Sequence, residues 1–169
     1  MSPAGWTGVI VAELHPRCQE IDALLAAAGL AGRVRILPEP APTAQAAADQ
    51  IGCPVGAIAN SLIFETEDGE PLLVMTSGAH RVDAARVGAV IGVGFHRASA
   101  DFVRKHTGQP IGGVAPIGHP APIRTIVDRH LAGFGELWAA GGIPLAVFPL
   151  GYADLVRLTD GVELEVGLS

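Results

Sequence analysis

Two apolar runs, residues 57–66 and 71–76, sit on either side of Glu67-Asp68-Gly69-Glu70. A short polar segment with a glycine between two β-favouring runs is a hairpin signal, and it commits the chain to an antiparallel pair of strands. Helical patterns lie on both sides of this hairpin. Residues 16–28 place Ile21, Leu24, Leu25 and Ala28 on one face before Gly29. Thr43 caps a helix through Gln50, stopped by Gly52, and Ser99 caps another through His106, followed by Gly108. Residues 82–91 and 152–158 also read as helices. Short strands are expected at 34–37, 93–97, 123–127 and 162–166, and a second hairpin pairs 137–139 with 146–150 around Gly141-Gly142. Strands and helices interspersed in this way predict an α+β domain with a mixed, twisted sheet, formed as one unit over residues 1–169.

The core of such a domain has to be aliphatic. Hydrophobic residues make up 49% of the chain but aromatic ones only 5%, with a mean hydropathy of +0.39. Glycine or charge breaks every apolar run well before the roughly 20 residues of a membrane-spanning helix, and residues 1–11 lack the basic start of a secretory leader. Cys18 and Cys53 do not make a disulfide framework, so a reducing cytoplasm is expected.

Net charge is −6, with a pI near 5.4, which argues against a nucleic-acid partner unless the charge is unevenly placed. It is unevenly placed. Residues 81–129 hold Arg81, Arg86, Arg97, Arg104, Lys105, Arg124 and Arg129 against Asp83, Asp101 and Asp128. A basic band of this kind can meet phosphates locally, or be an ordinary mixed surface.

Three segments carry candidate chemistry. Gly112-Gly113-Val114-Ala115-Pro116 cannot be helical. Its glycines let a backbone approach a ligand and offer N–H groups to a carbonyl oxygen, as an oxyanion site does, or they simply make a turn. Asn60 and Ser61 interrupt an apolar strand, so Asn60 either pairs with backbone or faces a cleft. Ser77 and His80 follow a strand, where His80 is either a general base or a turn residue before the next helix. No metal site is expected. The six histidines form no i, i+4 pair, and no phosphate-binding loop, dinucleotide fingerprint or Gly-x-Ser-x-Gly elbow occurs.

Taken in order, the strand at 58–64, residues 72–83, the loop at 112–118 and Trp138-Ala139-Ala140-Gly141-Gly142 leading to Asp154-Leu155 resemble the YbaK family. That family also occurs as the editing insertion of bacterial prolyl-tRNA synthetases. The resemblance runs from about residue 43 to 166. It implies a mixed sheet with surrounding helices and hydrolysis of tRNA mischarged with a small amino acid, without a cofactor. A catalytically inactive module that binds aminoacyl or nucleic-acid ligands is the alternative.

The resemblance also implies a site. Gly112 and Pro116 match the family's Gly-x-x-x-Pro loop, with Gly112 and Gly113 offering N–H groups to the oxyanion. Asn60 stands where many members have a lysine important for activity, with Ser61 beside it. The attacking water is then oriented by Asn60, which supplies no charge, or by a ribose hydroxyl of the substrate. Ser77, His80, Ala140 and Gly141 are expected around the substrate. Ala140 and Val147 depart from the cysteine-specific branch, so cysteinyl-tRNA is not the expected substrate. Arg81, Arg104, Lys105 and Arg124 are the expected contacts to the tRNA acceptor end, and a synthetase is a further candidate partner.

Overall fold

A computed structural model describes residues 15–168, so residues 1–11, inspected for a leader, lie outside the described part. The hairpin is present as β2 (Ile58–Thr66) and β3 (Pro71–Ser77), paired antiparallel from Ala59↔Ser77 to Glu65↔Pro71. Gly69, at φ +77°, makes the turn, and the Glu70 N–H donates to Thr66 Oγ1 at 3.1 Å.

Around this pair an eight-stranded mixed sheet assembles. On one side of β2 come β7 (Leu137–Ala140), β8 (Ala146–Leu150) and β1 (Arg35–Ile36). On the far side of β3 come β6 (Arg124–Asp128) and β9 (Val162–Leu164). The β2·β7, β3·β6 and β6·β9 pairs are parallel. The short β5 (Phe95–Arg97) pairs antiparallel with the end of β2. Among the described residues five helices surround the sheet: α1 (Pro16–Ala27), α2 (Ala44–Ile51), α3 (Ala84–Ile91), α4 (Ala100–Thr107) and α5 (Tyr152–Thr159). The expected α+β architecture with a mixed sheet is what forms.

Side chains alternate strictly between two faces, as a pleated strand demands. Ala59 and Ile63 of β2, Leu73 and Met75 of β3, Val127 of β6 and Phe148 of β8 join the largest apolar cluster, with Ile21, Val103 and Leu155 from α1, α4 and α5. The opposite face divides. Ile58, Trp138 and Val147 pack under α2, while Phe64, Leu72, Val74 and Ile126 pack with Val87 of α3. Asn60 lies between these two smaller clusters, two residues from Ile58 and two from Leu62.

Two local expectations are corrected. In α1 the buried stripe is Cys18, Ile21, Asp22 and Leu25, whereas Leu24 is exposed. Asp22 turns inward because its Oδ1 accepts the Val34 N–H at 2.6 Å, a donor that would otherwise be buried unpaired. The helix expected from residue 82 starts at Ala84. Arg81–Val82 instead forms β4, paired with β10 (Gly167–Leu168), and the Asp83 side chain caps α3 by accepting the Arg86 N–H. Among the described residues no helix is long and apolar enough to cross a membrane.

Candidate functional site

The site arises from a fork in the sheet. On the edge away from β3, β2 pairs with β7 only at Ile58 and Ala59, and with β5 only from Phe64 to Thr66. Asn60 to Ile63 therefore border a gap. The Ile63 carbonyl accepts the Ala98 N–H on this edge, at 3.4 Å. Backbone direction alternates along a strand, so the Ser61 main-chain N–H and C=O also turn toward the gap.

A cavity of about 300 Å³ opens there. Asn60, Ser61 and Leu62 line it from β2, Ala139 and Ala140 from β7, Thr43, Ala44 and Ala47 from the start of α2, and Gly112 and Val114 from the 112–116 loop. Asn60 is half-buried, and among the described residues its carboxamide has no hydrogen-bond partner. Ser61 Oγ donates to the Met75 sulfur at 3.3 Å. Among the described residues Arg97 is the one charged residue in the lining.

The loop is held by residues outside the expected set. Gln109, 4% exposed, accepts the Ala115 N–H on Oε1 at 2.6 Å and donates from Nε2 to the Ile117 carbonyl at 3.2 Å. His119 Nε2 donates to the Ala115 carbonyl at 2.8 Å. Burial lowers the His119 pKa below its ordinary value, against the smaller opposing effect of that carbonyl. The neutral ring therefore serves as a fixed donor. Gly112 adopts φ +87° and is exposed to the cavity.

Not every expected residue reaches the cavity. Gly113 packs so closely on the Ile143–Pro144 backbone that a Cβ would lie 2.5 Å from the Ile143 carbonyl carbon. Its N–H donates to the Pro110 carbonyl at 3.0 Å. That donor is consumed by the turn, which corrects the expectation that it faces the substrate. Pro116 is buried and Gly141 is packed against Val34, and neither lines the cavity.

Ser77 and His80 form a separate polar cluster. Asp128, 1% exposed, accepts the Ser77 N–H at 3.0 Å and pairs with His80 Nδ1 at 3.1 Å through Oδ2, while Oδ1 accepts the His130 N–H at 3.0 Å. Ser77 Oγ donates to the Gly56 carbonyl at 2.7 Å, so it is not aligned with His80. The His80 ring stacks on His130 with centroids 4.2 Å apart. These contacts knit β3 to β6 and to the short helical turn Arg129–Gly133; none of the three side chains lines the cavity.

The expected tRNA contacts are also dispersed. Arg104 and Lys105 are exposed on α4, next to Val103, which lines the cavity. Arg124 lies beside Asp68 and Glu70 at the hairpin turn, and Arg81 lies in the two-stranded β4·β10 sheet. Among the described residues no cluster of three or more His, Cys, Asp or Glu side chains is arranged to hold a metal ion.

Residues 38–158 match the aminoacyl-tRNA editing domain family. The chain belongs to this family. Consistent with that membership, it is 28% identical over 110 residues to a proline–tRNA ligase of Delftia acidovorans, covering 59% of this chain and 19% of that one. It is 30% identical over 100 residues to the Bacillus subtilis protein YwhH, covering 59% of this chain and 64% of that one. The chain thus spans about a fifth of the ligase and under two thirds of YwhH. A crystal structure of a candidate trans-editing enzyme for prolyl-tRNA synthetase superposes with a TM-score of 0.87 at 34% identity, covering 93% of this chain and 100% of that one. The editing-domain fold is therefore shared over nearly the whole chain.

Proposed function

We propose that this editing domain is a trans-acting aminoacyl-tRNA deacylase whose ester-binding site is the cavity at the fork of β2. The observation that carries this reading is the coincidence, in one cavity, of an unpartnered Asn60 carboxamide, the turned-out main chain of Ser61 and the bare backbone of Gly112. These are groups that hold and polarise an ester without a covalent nucleophile. Water attacks the ester carbonyl and forms a new C–O bond. The bond to the ribose oxygen then breaks, and that oxygen leaves with a proton as a hydroxyl. Free amino acid and uncharged tRNA result.

Within this reading Asn60 orients water or the carbonyl, and Gly112 and Val114 take the donor role that Gly113 cannot fill. Neither N–H has a partner among the described residues. The alanine-lined walls suit a small, uncharged amino-acid side chain. Discrimination by such walls is modest, about 1–3 kcal/mol per methylene. The working location is the cytoplasm, with tRNA as substrate and a synthetase as the source of mischarged tRNA.

A second reading is favoured by one feature. Asn60 supplies no charge where the resemblance implies a lysine in many members, which suits a module that binds aminoacyl ends without cleaving them. A panel of mischarged tRNAs separates the two. Release of one amino acid at a rate proportional to enzyme supports the deacylase. Tight binding with no release across the panel supports the module.

A further inference from the structure

The cavity has a charge asymmetry that the deacylase reading leaves unused. The register Phe64↔Arg97 places the Arg97 side chain on the same face of the sheet as Phe64, Leu62 and Asn60, since directly opposed residues share a face. Arg97 is the last residue of β5, and the chain then runs toward the fork, where the Ala98 N–H reaches the Ile63 carbonyl. Arg97 therefore stands at the rim of the cavity on the Asn60 side. Arg97 is exposed, and among the described residues it forms no ion pair. The neighbouring His96–Glu65 contact lies on the opposite face of the sheet and leaves Arg97 out.

From this the geometry points to Arg97 as the anion-binding residue of the site, gripping the 5′-phosphate of the terminal nucleotide while the aminoacyl group enters beside Asn60. The inference rests on the deacylase reading of the cavity and adds to it a substrate-positioning residue. A chain with net charge −6 must meet a polyanion through local cations. Among the described residues only one such cation lines the cavity, and no carboxylate lines it to compete. Guanidinium is also the chemically apt group. Its planar fork bonds two phosphate oxygens at once, whereas the neutral Asn60 amide cannot neutralise one. The four residue steps of strand from Asn60 to Phe64, which lies opposite Arg97, span roughly 13 Å. A nucleoside with its phosphate can bridge that distance once the arginine side chain reaches inward.

The test uses the intact protein and stable mimics: 3′-amide-linked aminoacyl adenosines carrying alanine, serine, cysteine, valine or leucine, each made with and without a 5′-phosphate. Calorimetry or competition binding reads the phosphate preference. Wild type is expected to bind the best phosphorylated mimic about tenfold more tightly than its unphosphorylated partner at low salt. That preference should shrink as salt rises. R97Q is expected to lose the preference and R97K to keep part of it. Equal binding of both forms by wild type, or a preference that survives R97Q, overturns the assignment of Arg97 alone. An R97Q loss shared equally by both forms also overturns it, because the role would then be structural. Failure of wild type to bind any mimic instead sinks the reading of the cavity as an aminoacyl-nucleotide site, and the inference with it.

Discussion

Gln109 and Ala115 are joined by a 2.6 Å hydrogen bond in which the Ala115 N–H donates to the buried Gln109 carboxamide, and the same side chain donates onward to the Ile117 carbonyl. One glutamine thus sets the curvature of the loop that presents Gly112. Replacement by methionine, of similar length, removes both bonds and strands a buried N–H. Gln109→Met is expected to lose about 2 kcal/mol of stability. It should also lower deacylation more than the mere unfolded fraction explains. Urea denaturation and single-turnover rates on the same preparation check this, and an unchanged midpoint would mean the loop is held by other contacts.

Asp128 is a structural hub, although its surroundings contain the residue types of a catalytic site. It binds two main-chain N–H groups and His80 from a position 1% exposed. Asp128→Ala leaves the Ser77 N–H without its acceptor and is expected to cost about 3 kcal/mol. His80→Ala removes only one partner at the edge of the cluster and should cost about 1 kcal/mol. Denaturation midpoints should fall in that order. If His80→Ala instead abolishes turnover in a fully folded protein, His80 belongs to the chemistry after all.

His119 gives the fold a pH dependence of definite sign. Burial lowers its folded pKa from the ordinary 6.5, so the unfolded chain binds the proton more readily than the folded one. Stability from this group is complete above the unfolded value and is lost as pH falls through 6.5 toward the lower folded value. His119→Gln keeps a donor for the Ala115 carbonyl but does not titrate. The stability gap between wild type and His119→Gln is expected to be flat above about pH 7.5 and to move against wild type below about pH 6.5. Parallel slopes from pH 8 to 5 would assign the acid sensitivity elsewhere.

The cysteines are expected to be poor nucleophiles. Burial, and secondarily the Asp22 charge, push the Cys18 thiol up to about 11, and burial also raises Cys53. At pH 8 the Cys18 thiolate is then about a thousandth of the population. Alkylation of folded protein should be slow at neutral pH and become rapid only in denaturant. Fast labelling of Cys18 in the folded state would show that α1 opens readily.

The parts of this architecture legible in the sequence are those set by local chemistry. The 67–70 turn, the Thr43 and Ser99 caps and the αL glycines Gly52 and Gly108 each announce an element boundary through a side chain or a backbone requirement. Asn60, Ser61, Gly112 and Ala140 stood out as polar or glycine-rich breaks in apolar runs, or by family position, and all line the cavity. Partners distant in sequence were not legible. Nothing local marks Asp128 as the acceptor for Ser77, 51 residues away, or Arg97 as the residue opposite Phe64. Gly112 and Gly113 are neighbours of one residue type, yet one opens to the cavity and the other is sealed against Ile143. Only the tertiary contact separates them.

That difference provides the sharpest test of the catalytic assignment. A Cβ on Gly112 meets no atom within 4 Å, so Gly112→Ala is burdened only by the positive φ, about 1–2 kcal/mol. A Cβ on Gly113 collides with backbone, so Gly113→Ala should unfold or displace the loop. Asn60→Ala removes a side chain with no partner among the described residues and should leave stability nearly unchanged. If Asn60 acts as charge develops on the ester or the attacking water, Asn60→Ala lowers kcat rather than raising KM. Loss of one donor in a dry site costs about 100- to 1000-fold. The cavity here opens to solvent, so a fall nearer tenfold to 100-fold is expected. Gly112→Ala should stay folded yet slow the reaction by narrowing access to the backbone donors. Thermal melts with single-turnover kinetics on the three variants check the pattern. If Asn60→Ala and Gly112→Ala both release amino acid at the wild-type rate, the ester does not bind at the fork of β2.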